Sequence, residues 1–459
     1  MKSSLDKPRP SSKARESGKG SVPVWGVVLL IVAVGAVFFF SGSPSRKGDS
    51  ETGSTASSTN LEPRKNSPSS PIPVTILSKS PAGGSNTAVA FLKTLKPNTP
   101  VGQLAAQLLD ETAPLKLRRA AASGLARMGS DEAFQALNAG LLSTNSMAKA
   151  SIAECLGECP HHDAPALLTR LLDDEDETVA RGAIRGIGSR GDAAATEVLS
   201  NVLFDPDRPE EVRAEAALTL GDVEQPEAMA ALARAVNEIQ DEAIVEQIWE
   251  GLGSRPFSET EQLFRSYLDS PNLSSEDKVM ALEALGNTEG NSAPLLLEYA
   301  NDPDPDVRAA AAWGLVGAES QPGLNDRVLE WLQGESSVEV RERLYEALSG
   351  QENLDPAATL ALVQKESDPA ARLAVLGMAA AACETGSPEL LAYFNQTAVP
   401  ELRTTAVSGS DLGDRLNSVL TLGRAGTPEA LQALEEVART SRDASTVEAA
   451  QSILRHRGG

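Results

Sequence analysis

The chain repeats itself from about Thr87 to its C-terminus, and this repeat limits the possible folds more than any other feature. One well-formed unit is DPDPDVRAAAAWGLVG, residues 302–317. The pattern shared by the copies begins with an apolar residue, and a basic residue usually follows it. Small or apolar residues lie four and five positions after the first residue, and an aliphatic residue lies eight positions after it. A period between about 20 and 50 residues is typical of solenoids and related arrays. The eleven copies start at residues 117, 148, 179, 212, 244, 277, 307, 340, 371, 414 and 446.

The spacing within each copy predicts a helix. Offsets of four, five and eight lie on one face of an α-helix, so each copy buries a stripe of small and aliphatic side chains. A proline such as Pro165 or Pro226 often opens a second amphipathic run, as is common in the first helical turn. Each unit is therefore predicted to be a helical hairpin. Six copies end in an aliphatic residue and a glycine, which we interpret as a left-handed helix stop: Gly157, Gly188, Gly221, Gly253, Gly286 and Gly423.

One step of the array is irregular. Successive starts are 30 to 33 residues apart, except for 43 residues between Ala371 and Asp414. The longer step predicts one extra helix or a long loop around Val399 to Leu412, which could break the curvature of the array.

The composition indicates an all-α fold, because Ala and Leu dominate and only 4% of the residues are aromatic. Two-helix units of about 31 residues with a D-x-x-V-R-x-x-A-A-x-x-L signature resemble HEAT repeats, and the short period is similar to the phycocyanobilin-lyase class of HEAT-like repeats. The resemblance implies a right-handed α-solenoid of about eleven two-helix repeats over residues 87–459. It implies little about activity, because that class includes lyases, hydroxylase scaffolds and plain adaptors.

The segment before the array predicts a membrane anchor. Residues 22–41 include VWGVVLLIVAVGAVFFF, and no charge lies between Lys19 and Arg46, so this segment can span a bilayer. The basic tail, residues 1–21, is then cytoplasmic, and a disordered linker rich in Ser, Pro and Gly, residues 42–86, leads to a periplasmic or extracytoplasmic solenoid. The predicted localisation is a single-pass membrane protein. A cleaved signal peptide is the alternative, although Phe39 and Phe40 occupy positions where cleavage needs small residues.

Charge indicates the type of partner. The formal net charge of −23 combines +6 in residues 1–85 with −29 in residues 86–459. An acidic array disfavours nucleic acid and favours a basic protein partner, with solubility of a long surface as the simpler explanation. We therefore expect a protein partner and no nucleic acid, with membrane contact only through the N-terminal helix.

Motifs for catalysis are missing from the sequence. It contains no nucleotide-binding Gly loop, no Gly-x-Ser-x-Gly elbow and no zinc-protease helix motif. Iron-dependent hydroxylases with HEAT-like folds use repeated His-Glu pairs as ligands, and this sequence has none. We expect no enzyme activity, no catalytic residue and no cofactor.

One cluster could bind a metal ion. Cys155, Cys159, His161 and His162 place two thiols and two imidazoles within eight residues, a ligand set that zinc binds tetrahedrally. Cys155 could instead be a small buried apolar residue beside Leu156, or form a disulfide with Cys159. The cluster is the predicted metal site.

Two further features have a structural and a functional interpretation. The acidic run 173–177 could cap the next helix or bind calcium or a basic partner. Trp249, Trp313 and Trp331 could fill the core or form a binding face. For the whole chain we predict a membrane-anchored scaffold that binds proteins through the solenoid surface. The alternatives are a lyase-like or chromophore-handling protein and a metal-binding protein.

Overall fold

A computed structural model describes residues 90–271, 273–383 and 387–457. Over these residues the chain forms 23 α-helices and no strand. The helices are α1 Pro100–Leu109, α2 Leu115–Met128, α3 Asp131–Gly140, α4 Ser146–Leu156, α5 Ala164–Leu171, α6 Glu177–Gly188, α7 Ala193–Phe204, α8 Glu210–Gly221, α9 Pro226–Glu238, α10 Glu242–Gly253, α11 Phe257–Leu268, α12 Ser275–Asn287, α13 Ala293–Leu296, α14 Pro305–Gly314, α15 Leu324–Gly334, α16 Val338–Ser349, α17 Pro356–Lys365, α18 Pro369–Ala382, α19 Pro388–Tyr393, α20 Val399–Ser408, α21 Leu412–Ala425, α22 Pro428–Thr440 and α23 Ala444–Arg457. The prediction of an all-α repeat fold is confirmed.

The chain divides into two compact units. One spans Ser78–Ala398 and contains α1 to α19. The other includes Val399–Gly459 and contains α20 to α23, in which α21 packs against α20, α22 and α23. All eleven starts of the repeat lie in helices, namely α2, α4, α6, α8, α10, α12, α14, α16, α18, α21 and α23. We call these the signature helices.

The buried stripe of the signature helices agrees with the predicted offsets. In the copy that begins in α14, Val307 at the start and Ala311, Ala312 and Leu315 at offsets four, five and eight are all at most 1% exposed. Small side chains at these positions let neighbouring helices approach closely, so the signature helices of the larger unit form a continuous layer in which each packs on the next.

The acidic turns between repeats cap the helices that follow them. The Oδ1 atoms of Asp176, Asp304 and Asp368 accept hydrogen bonds from backbone N–H groups in the first turns of α6, α14 and α18. These bonds satisfy N–H groups that the helix leaves free and place negative charge at its positive end. In the run 173–177, Asp173 also pairs with Arg208 at 2.9 Å, so the structural interpretation of this run holds.

The predicted role of the six glycines is wrong. None of them has a positive φ; the glycines with a left-handed backbone are Gly129, Gly191, Gly290, Gly317, Gly323 and Gly426. The predicted glycines lie instead where two helices nearly touch. A Cβ on Gly221 of α8 would lie 2.4 Å from the Cα of Gly251 in α10, and one on Gly286 of α12 would lie 2.4 Å from the Cα of Gly314 in α14. A methyl group at either position would clash with backbone, so glycine is required for close packing.

This close approach alternates along the layer. The pairs α4/α6, α8/α10, α12/α14 and α16/α18 pack more extensively than the pairs α6/α8, α10/α12 and α14/α16. The difference matches the sequence, because the starts are 30 to 32 residues apart across the first set and 33 apart across the second.

The irregular step of 43 residues contains an extra helix. Helix α20, Val399–Ser408, lies inside the range where an extra helix or a long loop was predicted, so the helical alternative is correct.

The predicted localisation has to be corrected. Across residues 90–271, 273–383 and 387–457 there is no helix whose length and apolar character would let it cross a bilayer. The longest α-helices, such as α2 and α18, have 14 residues, whereas a span needs about 20. The predicted anchor at 22–41, with the tail 1–21 and the linker 42–86, lies outside the described residues. The described residues therefore give no support to the predicted single-pass membrane localisation.

Candidate functional site

The predicted metal ligands do not converge as a set of four. Cys155 lies near the end of α4, while Cys159, His161 and His162 lie in the loop before α5. Potential ligand atoms within 4.8 Å of one another come from His161, His162 and Asp163, and neither cysteine belongs to this group. Burial, reinforced by the charge of Glu154, raises the pKa of the Cys155 thiol to about 11. Burial also raises the pKa of the Cys159 thiol, so both sulfurs keep their protons at neutral pH.

The imidazole of His161 is buried and held from both sides. Its ring stacks on Phe134 with centroids 4.1 Å apart and on His162 at 4.4 Å. Its Nδ1 accepts a hydrogen bond of 3.2 Å from the backbone N–H of Asp163. Its Nε2 lies 3.3 Å from Oδ1 of Asp131, in the first turn of α3. The ring therefore joins the loop between α4 and α5 to the preceding repeat.

Equivalent loops in other repeats are joined in the same way. The side chains of Asn291 and Gln321, 30 residues apart, exchange two hydrogen bonds of 2.8 and 2.7 Å. The amide of Gln225 donates to the carbonyl of Gly191 at 3.0 Å. The pair of His161 and Asp131 is thus one member of a series of loop contacts between repeats, and it is the one built from metal-ligating groups.

A second candidate site lies on the face of the signature helices that points away from the core. The residue six positions after each start lies next to the buried offset five but is not itself buried. We call this set the outer row. From α2 to α18 it consists of Ser123, Glu154, Arg185, Leu218, Glu250, Glu283, Trp313, Glu346 and Gly377.

The N-terminal part of the outer row is neutralised by ion pairs between repeats. Glu154 of α4 pairs with Arg119 of α2 at 2.5 Å and with Arg185 of α6 at 3.8 Å. Glu215 of α8 pairs with Arg185 at 2.7 Å and with Arg181 at 2.8 Å. Charges of opposite sign therefore alternate from α2 to α8 and satisfy one another.

The central part of the outer row is acidic, and its glutamates, like Glu246 one turn before Glu250, have no such partners in the described part of the chain. Among the residues that the structure describes, Glu246 and Glu250 of α10 and Glu283 of α12 form no salt bridge. Burial of part of its side chain raises the pKa of Glu283, and no cation in the described ranges offsets this effect. We call these three residues, together with Trp313, the acidic patch.

Trp313 gives the acidic patch an exposed aromatic ring. Its residue is 36% exposed, whereas Trp249 and Trp331 are 3% and 8% exposed and fill the core. Cζ3 of its ring lies 3.3 Å from the position that a Cβ on Gly286 would take, so the ring rests on the glycine of the neighbouring helix. An exposed indole ring can receive an aliphatic stem, and unpaired carboxylates of the same row can receive its cationic head.

The basic residues of the signature have structural partners. Arg308 pairs with Glu335 and Arg341 with Glu366, at 2.9 and 2.8 Å, and Arg213 donates to the carbonyl of Leu203. These cations therefore make contacts within the array.

Comparison with known proteins identifies the repeat. Residues 102–181, 164–253 and 261–349 match the family of HEAT repeats and together cover more than half of the chain. The chain belongs to the HEAT-repeat family, and the predicted resemblance is confirmed.

Individual relatives are more distant. Deoxyhypusine hydroxylase from Danio rerio is 31% identical over 122 residues, which are 26% of this chain and 40% of that protein. The chain thus matches less than half the length of this curated relative. Among solved structures, human deoxyhypusine hydroxylase in complex with glycerol shows 17% identity and a TM-score of 0.25 over 81% of this chain and 99% of that one. The complex of CpcE and CpcF of phycocyanin lyase from Nostoc sp. PCC7120 shows 21% identity and a TM-score of 0.28 over 50% and 92%.

Proposed function

We propose that this chain is a HEAT-repeat scaffold that binds a protein partner through the acidic patch. The partner offers a segment with Lys or Arg side chains next to apolar ones. The observation that supports this most directly is the row Glu250, Glu283 and Trp313, in which unpaired carboxylates and an exposed indole occupy equivalent positions of three consecutive signature helices.

The charges of the acidic patch favour a cationic partner. Glu246 and Glu250 are four residues apart on α10, so they repel each other, and a cation between them would relieve that repulsion. A net charge of −29 over residues 86–459 would also attract a basic partner from a distance. The exposed ring of Trp313 would supply the apolar anchor that protein interfaces usually need.

The alternative to partner binding is enzyme activity. The curated relative is named as a hydroxylase, and a lyase is among the similar structures. The whole sequence contains three histidines, His161, His162 and His456, and none of them precedes a glutamate. We therefore propose that partner binding, without lyase-like or chromophore-handling activity, is the role of the array.

Binding of a defined peptide tests the proposal. The probe is a fluorescent amphipathic peptide with Lys and Arg on one helical face, and its control carries Glu at those positions. We expect the purified chain to bind the basic probe, and the triple variant Glu250→Gln, Glu283→Gln, Trp313→Ala to weaken binding at least tenfold, which corresponds to about 1.4 kcal/mol.

A variant with the same charge change elsewhere provides the control. Glu197 of α7 and Glu227 of α9 are exposed and form no salt bridge within the described residues. The double variant Glu197→Gln, Glu227→Gln changes the net charge as much as the triple variant does, so less than a twofold effect is expected. Equal losses in both variants would mean that the probe senses only overall charge, and the proposal would be wrong.

A further inference from the structure

The surface beside the acidic part of the outer row is two residues wide. Residues four positions apart on a helix are neighbours on its surface. We call the residues four positions before the outer-row members of α10, α12 and α14 the second row; they are Glu246, Val279 and Ala309. Glu246 is exposed, whereas Val279 and Ala309 are half-buried. The two rows together form a surface across three neighbouring signature helices.

The character of this surface changes from acidic at α10 to apolar at α14. Within the two rows, α10 contributes two carboxylates, α12 contributes one and α14 contributes none. The exposed side chains of the α14 copy are the indole of Trp313 and, three residues later, Val316, which is 41% exposed. The Trp313 ring reaches Gly286, which lies one turn after Glu283 on α12. The apolar end therefore begins one helical turn from the last carboxylate.

The spacing of the three helices fits the repeat distance of a helical partner. Signature helices run in the same direction, because one second helix returns the chain between them, and α12 packs against both α10 and α14. The axes of packed helices lie about 8–10 Å apart. Side chains on one side of an α-helix recur every seven residues, about 10.5 Å along its axis. A partner helix that crosses the signature helices obliquely therefore presents one side chain to each of them.

Extended partners fit this surface less well. A β-strand repeats on one side every two residues, about 6.7 Å, which does not match the spacing of the signature helices. A polyproline helix repeats every three residues, about 9.3 Å, which does match, but it places only one line of side chains on each side. An α-helix presents a face several side chains wide, so it can contact both rows at once.

We propose that the partner segment is an α-helix with two cationic residues seven positions apart and a large apolar residue seven positions beyond the second. This inference rests on the proposed function, because it specifies the segment that the acidic patch binds. The first cation lies between Glu246 and Glu250, the second meets Glu283, and the apolar side chain packs on Trp313.

The remaining contacts set the order of the partner sequence. Residues three or four positions after each cation lie on the same face of the partner helix, and apolar side chains there rest on Val279 and Ala309. The N-terminal end of a helix carries partial positive charge, which is favourable beside the two carboxylates of α10. The cations therefore precede the apolar residue in the partner sequence.

Two fluorescent peptides of equal composition test the spacing on the full chain. The first is an alanine-rich helix with arginines seven residues apart and a leucine seven residues after the second arginine. The other peptide exchanges the second arginine with the alanine two positions before it, so that the arginines project to different sides of the helix. By fluorescence anisotropy at one ionic strength, we expect the first peptide to bind at least tenfold more tightly.

A third peptide tests the conformation. It is the first peptide with a proline in place of an alanine between the two arginines, which interrupts the helix but keeps both charges. We expect it to lose binding at least tenfold as well.

Paired substitutions identify which arginine meets which glutamate. Glu283→Gln should weaken binding of the first peptide at least threefold, and should have no effect on a peptide whose second arginine is replaced by glutamine. Glu250→Gln should couple in the same way to the first arginine and not to the second. Glu197→Gln, on the exposed surface of α7, should couple to neither.

The outcomes separate this inference from the proposed function. Equal affinities of the first two peptides, full binding by the proline peptide, or coupling of Glu283 to the first arginine would each overturn the helical register. If all three peptides bind equally and all bind more weakly to the triple variant Glu250→Gln, Glu283→Gln, Trp313→Ala, the acidic patch is the binding site and the register is wrong. Failure of every peptide to bind would overturn both.

Discussion

In helices α2 to α8 the outer face of the signature layer is joined by ion pairs, whereas in helices α10 to α14 the same face carries unpaired acids and an exposed indole. Glu215 of α8 is 7% exposed and bound by two arginines, while Glu250 of α10 is exposed and bound by none in the described part of the chain. The buried offsets four, five and eight are alike in both regions. The core positions of the repeat therefore determine the stacking, whereas the outer row can differ: it stabilises the array in one region and carries the proposed binding site in the other.

The largest effect is expected where the acidic patch rests on a close helix contact. Gly286→Val would place a side chain against the Cα of Gly314 and the ring of Trp313. Overpacking of this kind costs about 1–3 kcal/mol, and we expect the upper end because the obstructing atom is backbone. Urea denaturation followed by circular dichroism measures the loss.

A glycine without close neighbours is the control for this variant. Gly334, the last residue of α15, has nothing within 4 Å of the position that a Cβ would take, so Gly334→Ala should leave the urea midpoint unchanged or raise it slightly. Similar losses for both variants would contradict the role that we assign to Gly286.

The next largest effect comes from a comparison of the same substitution, glutamate to alanine, in each of the two regions. Glu215→Ala removes the only salt-bridge partner that the described residues offer Arg181 and leaves Arg185 with the longer pair to Glu154, so it should destabilise the fold by about 1–3 kcal/mol. Glu250→Ala removes an unpaired surface charge and should change stability by less than about 0.5 kcal/mol. If thermal or urea unfolding shows the same loss in free energy of unfolding for both variants, the outer face does not differ between the two regions as described.

A smaller effect depends on pH. Burial raises the pKa of Glu283, so the folded chain binds this proton more tightly than the unfolded chain, and stability falls as pH rises through the folded pKa. Glu283→Gln should therefore equal the unmodified chain in acid and be more stable at pH 7. Because only part of this side chain is withdrawn from water and solvent screens its charge, we expect a gain below about 0.5 kcal/mol. Urea midpoints between pH 4 and pH 7.5 measure it, and a variant that is less stable at pH 7 would contradict the unpaired state of this acid.

The smallest effect is expected at the end of the ion-paired region. Arg127 and Glu158 approach to 3.4 Å, but their side chains are 71% and 57% exposed. Such surface pairs contribute about 0–1 kcal/mol, so Arg127→Ala should shift the urea midpoint barely or not at all. A loss as large as that of Glu215→Ala would show that exposure does not weaken the ion pairs of this face.

Much of the fold follows from the register of the repeat alone. Counting from the start of each copy, Trp249 falls on the buried offset five and Trp313 on offset six, and the structure buries the first and exposes the second. The same count would have located the acidic patch, because Glu250 and Glu283 share that offset. The signal was therefore present in the sequence, although single aromatic residues considered without their register did not reveal it.

Other features depend on which neighbour a residue meets. An aliphatic residue followed by glycine fits a left-handed helix end as well as a close helix contact, and only the opposing Gly251 shows which applies to Gly221. Likewise Asp131 lies 30 residues before His161, and nothing local to either residue indicates that successive loops bring them together. Such pairings follow from how the repeats stack, which the sequence of one repeat does not contain.

The alternation of tight and looser contacts between signature helices has a consequence for how such an array can grow. Between residues 148 and 371, the starts of every second copy are separated by 63 to 65 residues. Deleting a single copy would bring two helices together whose surfaces are shaped for other neighbours, whereas deleting two adjacent copies would keep every kind of contact. Duplication or deletion of repeats in this array should therefore involve even numbers of repeats. The unit that is gained or lost would then be a pair of helical hairpins.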